Sequence, residues 1–486
     1  MSYEPHTTWS PFGIEWKGGT TMKKFLGLCM ALCLCLVLLP ATALAANEAT
    51  TVYVGNVELT GSKETPAYAK TDDSGNVSQD GATADDYNIK WDGETLTLQN
   101  AAIKEAEVHN NESIAVYLAS GDMTLALVGK NTVDAPDSES ASSCGIHVGG
   151  SLTIRGQDNG SLSVSGGDSS GSSYGIHASG TITIYSGTVT ATGESASADS
   201  YGICASGAVT INGGGITAQS GEAGGNSCGI YTSNSVIIED GSLNAASGKA
   251  GWNSCGIYAS NSVTIEDGTV NATGGNAVRD SCGIYASSFT INGGTVVATG
   301  GEATNRYSMG VRADGGITIH DGVVTATGDT AHDFSYGMNT SGNFTITGGI
   351  VTATSGEARL SYGIRCGGAL TITSGTLNAT SGKADADSLG IYTRNDIKIS
   401  GGDVTGIGST GERNSIGIFA SSGDMTISGG DVTGKSGTGE LSCGIATNAK
   451  LEIANATVKA EGGTASTQFS CGLYAAQTCS IEDSTV

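Results

Sequence analysis

The order of apolar and polar residues repeats along the chain with a period close to 27 residues. Each repeat carries a Ser, then Cys or an apolar residue, then a Gly, then Ile, Val, Met or Leu, and successive glycines are 30 residues apart once and 26 to 28 thereafter. The motif glycines are Gly145, Gly175, Gly202, Gly229, Gly256, Gly283, Gly310, Gly337, Gly363, Gly390, Gly417, Gly444 and Gly472. A fixed period of this length is typical of a stacked solenoid, in which each repeat forms one coil.

Residues 255–281 show the alternation within one repeat, with three short runs that each suit a strand with one buried face. The first run is expected to turn one set of side chains inward, namely Cys255, Ile257 and Ala259. It is expected to turn the other set outward, namely Gly256, Tyr258 and Ser260. The second run has Val263 and Ile265 inward, and after a turn at Asp267 and Gly268 the third has Val270 and Ala272 inward.

Three strands and three corners per repeat predict an all-β fold, a three-sided parallel β-helix of about 14 coils of about 27 residues. The general chirality of parallel crossovers makes it right-handed. Residues 111–486 are assigned to this helix. Residues 46–110 break the pattern and contain Asp92-Gly93, which suits a tight hairpin, so they are predicted to form an N-terminal β cap and the first strands.

The serine two positions before each motif glycine is the same residue in every repeat, from Ser143 to Ser470. We interpret it as a column of hydroxyl groups that satisfies the backbone of one corner. A catalytic serine would not need a copy in every coil.

The two ends of the chain carry further predictions. From Met22 the sequence has two lysines, a leucine-rich stretch and small residues before Ala45, so residues 22–45 are predicted to be a secretory signal peptide. Residues 1–21 are predicted to be an upstream extension, with translation beginning at Met22. The chain stops at Val486 inside a third strand, and we expect the natural protein to continue, with any cell-wall anchor beyond this sequence.

The formal net charge of −25 argues against nucleic acid and anionic lipid as partners. Six cysteines precede a motif glycine, where other coils carry Tyr, Met, Leu or Ile: Cys144, Cys228, Cys255, Cys282, Cys443 and Cys471. We therefore predict a column of buried thiols. No cysteine pair has zinc-ligand spacing, so neither a metal nor a cofactor is predicted.

The residue two positions after each glycine is expected to form an outward column that includes several aromatic and arginine side chains. Its candidate carbohydrate-binding residues are Tyr231, Tyr258, Tyr285, Arg312, Arg365, Tyr392, Phe419 and Tyr474. Exposed rings beside a trough of glycines would suit a polysaccharide, because sugar C–H faces stack on aromatic rings. The alternative interpretation is that stacked tyrosines only stabilise a parallel sheet.

Three other groups of outward residues have a candidate function. The third strand's outer face carries a threonine array like that of ice-binding solenoids, interrupted at Val297, Val323 and Ile350. Acidic corner residues predict at most weak calcium binding, and they are Glu194, Glu222, Glu302, Glu357 and Glu412. Asp385 and Asp387 are the nearest paired carboxylates, but the short, regular corners are expected to build no catalytic cleft.

The chain resembles the secreted β-helical repeat proteins of Gram-positive anaerobes, some of them carbohydrate-binding, in its YVGNVELTG (53–61) and NIKWDGETLTLQNA (88–101) segments and its TI-x-GG-TV-x-AT-G coils. It shares with pectate lyases only the β-helix, without their catalytic loops. The resemblance implies a secreted or cell-surface, non-enzymatic protein that engages a polysaccharide or a host glycan. We expect a monomer that does not insert into membranes. The alternatives are a structural stalk, a polysaccharide lyase or hydrolase, and, more remotely, an ice-binding protein.

Overall fold

The computed structural model describes residues 49–139 and 141–486, and Thr50–Val486 form one compact unit. The regular elements of this described part are all β-strands, and it contains no helix suited to crossing a membrane. The predicted upstream extension (1–21) and signal peptide (22–45) lie outside the described residues.

The strands of successive coils pair in parallel and form three ladders, which confirms the three-sided parallel solenoid of about 14 coils, about 27 residues apart. The first ladder consists of Glu112–Leu118, Ser142–Val148, Ser173–Ala178, Ser200–Ala205, Ser227–Thr232, Ser254–Ala259, the first parts of Asp280–Ile291 and Tyr307–Ile319, then Phe334–Thr340, Ala358–Cys366, Ala384–Thr393, Asn414–Ala420, Leu441–Thr447 and Ser470–Ala475.

The second ladder consists of Thr95–Gln99, the first parts of Met123–Asp134 and Leu152–Ser165, then Ile182–Ser186, Val209–Ile211, Val236–Ile238, Ser262–Ile265, the second parts of Asp280–Ile291 and Tyr307–Ile319, Phe344–Ile346, Leu370–Ile372, Ile397–Ile399, Met425–Ile427, Leu451–Ala454 and Cys479–Glu482. The third consists of Ala102–Ile103, the second parts of Met123–Asp134 and Leu152–Ser165, then Thr188–Gly193, Gly215–Ser220, Ser242–Ala246, Thr269–Thr273, Thr295–Thr299, Val323–Thr327, Ile350–Thr354, Thr376–Thr380, Asp403–Ile407, Asp431–Lys435 and Thr457–Glu461. A further short pair joins Thr438–Gly439 to Thr464–Ala465.

The interior is a continuous column of aliphatic side chains, as predicted for the second and third strands. Val263, Ile265, Val270 and Ala272 are all buried in one cluster that runs through the coils. Each such side chain contributes about 1.5–3 kcal/mol when it is fully removed from water. The turn between these two strands depends on Gly268, whose φ of 91° favours glycine.

The first strand differs from the prediction at its glycine. Cys255 and Ile257 pair with Cys282 and Ile284 of the next coil, but Gly256 and its counterpart Gly283 have no pairing partner. We call this irregularity, which both coils share without a shift of register, the glycine bulge, and it breaks the alternation. A Cβ on Gly256 would lie 2.5 Å from the backbone nitrogen of Thr273 in the third ladder. Gly256 therefore faces the interior, next to the inward Ile257.

This bulge moves the cysteine to the outside. Cys255 packs with Tyr258 in a cluster separate from the interior column, whereas Ile257 and Ala259 belong to the interior. The prediction of an inward Cys255 beside an outward Gly256 was wrong, because it assumed unbroken two-residue alternation.

The serine column is confirmed as a hydrogen-bonding device. Ser143 through Ser442 are fully buried at this position. In one coil, Ser281 Oγ donates to the Gly275 carbonyl over 2.7 Å and accepts the Gly301 N–H over 2.7 Å. Ser281 thus joins the corner of its own coil to the corner of the next, as do Ser227, Ser254 and Ser388.

Antiparallel strands cover the N-terminal edge of the solenoid. They are Thr50–Val54, Val57–Gly61, Ala67–Thr71, Val77–Ser78, Ile89–Trp91 and Glu107–His109. Thr50–Val54 pairs with Glu112–Leu118 of the first ladder, and Ile89–Trp91 pairs with Thr95–Gln99 of the second. The latter pair confirms the hairpin at Asp92-Gly93. These pairings occupy edge hydrogen-bonding groups that would otherwise be open to another strand.

Candidate functional site

The outer face of the first ladder carries three parallel files of side chains. The pre-serine file holds the residue before each column serine, the pre-glycine file holds the residue before each motif glycine, and the post-glycine file holds the residue two positions after it. In the coil of Ser281 these are Asp280, Cys282 and Tyr285. All candidate binding residues from the sequence lie in the post-glycine file.

The tyrosines of the post-glycine file stack on one another. The ring centroids of Tyr231 and Tyr258 are 5.1 Å apart with an interplanar angle of 11°, and those of Tyr258 and Tyr285 are 4.7 Å apart at 5°. The rings are half-buried and pack over the cysteines of the pre-glycine file. Each ring face is therefore covered by the next ring, and only edges and hydroxyl groups remain for a ligand, in contrast to the exposed faces expected from the sequence.

A charged network follows the tyrosine stack. Arg312 lies over the Tyr285 ring at 4.9 Å from its centroid, and its Nε donates to Asp314 over 2.9 Å. The Tyr285 hydroxyl donates to the same carboxylate over 2.7 Å. Burial raises the pKa of the Tyr285 phenol, which therefore stays neutral. Arg312 is thus held by its neighbours within the face.

Asp280 is the counter-ion below this network. Its Oδ2 lies 3.5 Å from both Arg306 and Arg312, while its buried Oδ1 has no hydrogen-bond partner in the part of the chain that the structure describes. Burial raises the pKa of the Asp280 carboxyl, although Arg306 and Arg312 act in the opposite direction. Asp280 is therefore a buried counter-ion of the two arginines.

The remaining candidate residues lie farther along the same file. Arg365 donates to Asn339 over 3.1 Å. The rings of Tyr392 and Phe419 are 6.0 Å apart, and Tyr474 lies 5.7 Å from Phe469 of the pre-serine file. The structure therefore places all eight predicted residues on one face, but it distributes them over ten coils instead of gathering them at one point.

Trp252 is an exposed ring that sequence reasoning missed. It lies in the corner that leads into Ser254–Ala259 and is 56% exposed. The backbone N–H of Trp252 donates to the carbonyl of Gly225 in the preceding coil, and its backbone carbonyl accepts the backbone N–H of Arg279 in the next coil. The Arg279 guanidinium lies 5.8 Å from the ring centroid on that side, whereas Gly225 offers no side chain on the other. A lone Trp that follows Gly251 in a corner, where the preceding coil has Gly225, was a signal that could have been used.

A shallow groove runs along the same corner over six coils, and its lining includes Gly251, the residue before Trp252. It has a volume of about 790 Å³ and is lined by Asp137, Ser138, Glu139, Asp168, Ser169, Ser170, Ser195, Ala196, Ser197, Glu222, Ala223, Gly224, Lys249, Ala250, Gly251 and Val278. Ordinary ligand pockets span roughly 300–1,000 Å³. The buried Ser169 hydroxyl has no hydrogen-bond partner among the described residues. The short corners were expected to build no cleft, and this open groove is what they form instead.

The acidic residues of this corner lie close together. Burial raises the pKa of the Glu194 carboxyl, and the charges of Asp168, Asp134 and Asp137 act in the same direction. The weak calcium binding expected from the sequence stays a prediction.

Among the paired carboxylates considered for catalysis, Asp387 forms an ion pair with Arg413. On the third ladder, Val297, Val323 and Ile350 are exposed, as expected, and interrupt the threonine array.

A second unpredicted group lies at the N-terminal end of the outer face. One ligand atom each from Glu112, His147 and His177 lies within 4.8 Å of the others. His147 Nδ1 is 2.9 Å from Glu112 Oε2. Burial lowers the pKa of His177 to about 4, with the neighbouring His147 acting in the same direction. The two histidines are 30 residues apart, one coil, which is the sequence signal that was overlooked.

Five of the six predicted cysteines are buried and Cys471 is half-buried, but the cysteine file is not uniformly reduced. Cys144, Cys228, Cys255 and Cys282 are buried free thiols, and burial raises the pKa of Cys144. Cys443 and Cys471 of neighbouring coils form a disulfide, so the expectation of thiols throughout was wrong for this pair. Parallel register places equivalent residues of adjacent coils within disulfide distance, with a Cα–Cα separation of 4.8 Å here.

Comparison with known families agrees with the ladders. Five segments match a family model described as a beta helix repeat: residues 182–206, 263–284, 289–310, 317–342 and 344–367. The comparisons with curated proteins and with solved structures gave no match. The chain therefore carries beta helix repeats, and its ligand has to be argued from its own surface.

Proposed function

We propose that this protein is a secreted or cell-surface glycan-binding solenoid without enzymatic activity, and that it holds a polysaccharide chain along the corner groove and Trp252. The observation that carries the proposal is the exposed Trp252 ring in the corner that also forms the groove, directly after the groove residue Gly251. Extracellular location rests on the predicted signal peptide.

Trp252 has the properties of a sugar-stacking platform. Arg279 fixes the ring from one side and the glycine of the preceding coil leaves the other side open. An amphipathic ring with a free face suits the C–H face of a pyranose. The stacked tyrosines of the post-glycine file offer no such face.

The groove supplies the hydrogen bonds that sugar hydroxyls require. Its walls carry serine hydroxyls and carboxylates, and its floor is made of small residues such as Ala196, Ala223 and Ala250. The buried Ser169 hydroxyl lies in a groove residue and has no hydrogen-bond partner among the described residues, and a buried polar group without a partner is costly unless something binds it. Six coils separated by about 4.8 Å give a length of about 24 Å, enough for a short stretch of an extended polysaccharide.

The test is a pull-down on insoluble polysaccharides, guided by a glycan array, with the Trp252→Ala variant. We expect roughly tenfold weaker retention, since a stacked aromatic contact contributes about 1.5 kcal/mol. Tyr185→Ala is the matched control, because Tyr185 is 42% exposed and lies under Arg155 on a different face. Equal retention of wild type and Trp252→Ala would remove the groove from consideration, and release of sugar fragments would instead favour a lyase or hydrolase.

A variant with Tyr231, Tyr258 and Tyr285 all changed to Ala separates the two parts of the surface. If the groove and Trp252 dominate, this variant loses less binding than Trp252→Ala once its folding has been verified by circular dichroism. A larger loss in the triple variant would assign binding to the tyrosine file instead.

A further inference from the structure

The group formed by Glu112, His147 and His177 has the composition of a metal site. The three residues come from three consecutive strands of the first ladder, Glu112–Leu118, Ser142–Val148 and Ser173–Ala178. Parallel pairing places Ser142 opposite Glu112 and His147 opposite His177. One coil contributes a carboxylate from the pre-serine file, and the next two contribute imidazoles from the post-glycine file.

The distances allow all three groups to reach one ion. Their ligand atoms already lie within 4.8 Å of one another, and His147 Nδ1 is 2.9 Å from Glu112 Oε2. Zinc is bound by histidine nitrogen and carboxylate oxygen at about 2.0–2.2 Å, so small side-chain rotations bring all three atoms to a common centre. His177 Nδ1 is buried and has no hydrogen-bond partner among the described residues.

The imidazoles are held in place by neighbouring rings. His177 stacks on Tyr174 with centroids 4.9 Å apart and an interplanar angle of 16°. His147 meets the edge of Tyr117 at 5.4 Å and lies 4.6 Å from the His177 ring. Such packing fixes the orientation of ligating side chains in advance and lowers the entropy lost on binding.

The donor set selects the kind of ion. Two imidazoles and one carboxylate suit zinc and its neighbours among the divalent transition metals, whereas calcium and magnesium prefer oxygen alone. The side chains of Glu112 and His147 are 14% and 18% exposed, so an ion could enter and a water molecule could complete its coordination. Binding would replace any proton shared between His147 Nδ1 and Glu112.

We propose that Glu112, His147 and His177 bind one zinc-class divalent ion, which fastens the first three coils of the solenoid together beside the cap. This site is separate from the corner groove and does not depend on glycan binding. Because the three ligands lie on different coils, the ion binds the stacked state and not the unfolded chain, and its binding free energy adds to the stability of this end.

The test uses the untagged full chain, stripped with a chelator and then dialysed against Zn²⁺ or Co²⁺. We expect about one retained ion per chain by elemental analysis, the visible absorption of four-coordinate Co²⁺, and a rise in melting temperature on adding Zn²⁺. His177→Asn and Glu112→Gln should each weaken binding more than about tenfold, since loss even of a residue that only supports a ligand costs 10- to 100-fold.

His320→Asn is the matched control, because His320 is an exposed histidine of another coil, bonded to Thr347. It should leave the ion content unchanged. Absence of a retained ion in the wild type would overturn the proposal, as would unchanged retention in the His147→Asn/His177→Asn double variant. If His177→Asn fails to fold, the isosteric Glu112→Gln variant still decides, since it preserves shape and removes the charged ligand.

Discussion

Replacing Ser143 by Ala tests whether the serine column holds the coils together. Ser143 is fully buried. Its hydroxyl accepts the buried N–H of Gly167, in the corner of the next coil, over 2.8 Å. It also donates to the carbonyl of Pro136 over 3.2 Å. Alanine fills nearly the same volume, so the substitution removes two hydrogen bonds without creating a cavity.

The cost of Ser143→Ala follows from these two contacts. A buried N–H that loses its partner costs about 1–3 kcal/mol, and loss of an ordinary hydrogen bond costs about 0.5–1.5 kcal/mol. The long bond to Pro136 lies at the weak end of that range, so we expect a total of about 2.5 kcal/mol. At 1.4 kcal/mol per factor of ten, this equals about a 60-fold increase in local opening.

Hydrogen exchange measured by mass spectrometry on peptides that contain Gly167 is the appropriate assay, because repeat arrays need not unfold in a single step. Ser179→Ala is the control, since Ser179 is exposed in a neighbouring coil. A surface change of this kind stays within about 0.5 kcal/mol, or about twofold. If protection of the Gly167 region were the same in Ser143→Ala and in wild type, the hydroxyl would have no structural role and the reasoning would fail.

Three further outcomes are expected. Gly256→Ala should destabilise its coil by about 1–3 kcal/mol, because a Cβ at this position would lie 2.5 Å from the Thr273 nitrogen. Gly215→Ala is the control and should be tolerated, since the nearest atom to its Cβ would be 3.6 Å away. The melting temperatures of the two variants test this difference. Cys443→Ser should lower the stability of the C-terminal coils by up to about 3.6 kcal/mol, because it removes the disulfide to Cys471 and with it the closure entropy of a loop of this length. Equal hydrogen exchange of these coils in the wild type and in Cys443→Ser would contradict this prediction. Glu194 has a pKa raised by burial and nearby carboxylates, so its ionised form opposes folding above that pKa. Glu194→Gln should therefore raise the melting temperature near about pH 7 and lose that advantage near about pH 3, where wild-type Glu194 is neutral in both states.

The ladders, the inward pairs such as Val263 and Ile265, and the role of the serines could be predicted because they depend on local periodicity. Alternation over a few residues identifies a buried face, and a repeat of constant length places equivalent residues in register. The position of Cys255 could not be predicted in this way. Its side of the strand depends on the bulge at Gly256, which arises from close approach of the third ladder and leaves no mark in the alternation itself.

The same error concealed the group formed by Glu112, His147 and His177. Unbroken alternation would turn a pre-serine residue such as Glu112 inward and a post-glycine residue such as His147 outward, so it gives no reason to expect a contact between them. The bulge shows that the pre-serine and post-glycine files share one outer face, on which side chains 35 residues apart lie 2.9 Å from each other. Trp252 was missed for a different reason. It lies in a corner, where the two-residue alternation of strands does not predict which side chains are exposed, and only the structure shows that its ring is 56% exposed.

Stacking in register also determines where such a solenoid can bind anything. The Tyr258 and Tyr285 rings are 4.7 Å apart, close to the spacing of neighbouring strands, so identical aromatic residues in adjacent coils cover each other's faces. A uniform file is thus rigid and largely closed to ligands. Ligand recognition therefore requires that the residue type change from one coil to the next. On the outer face such a change occurs at Glu112, His147 and His177. In the corner it occurs where Gly225 of one coil is followed by Trp252 of the next. The two proposed sites lie at these two discontinuities, which is the physical reason for expecting ligands there and not along the regular stack between them.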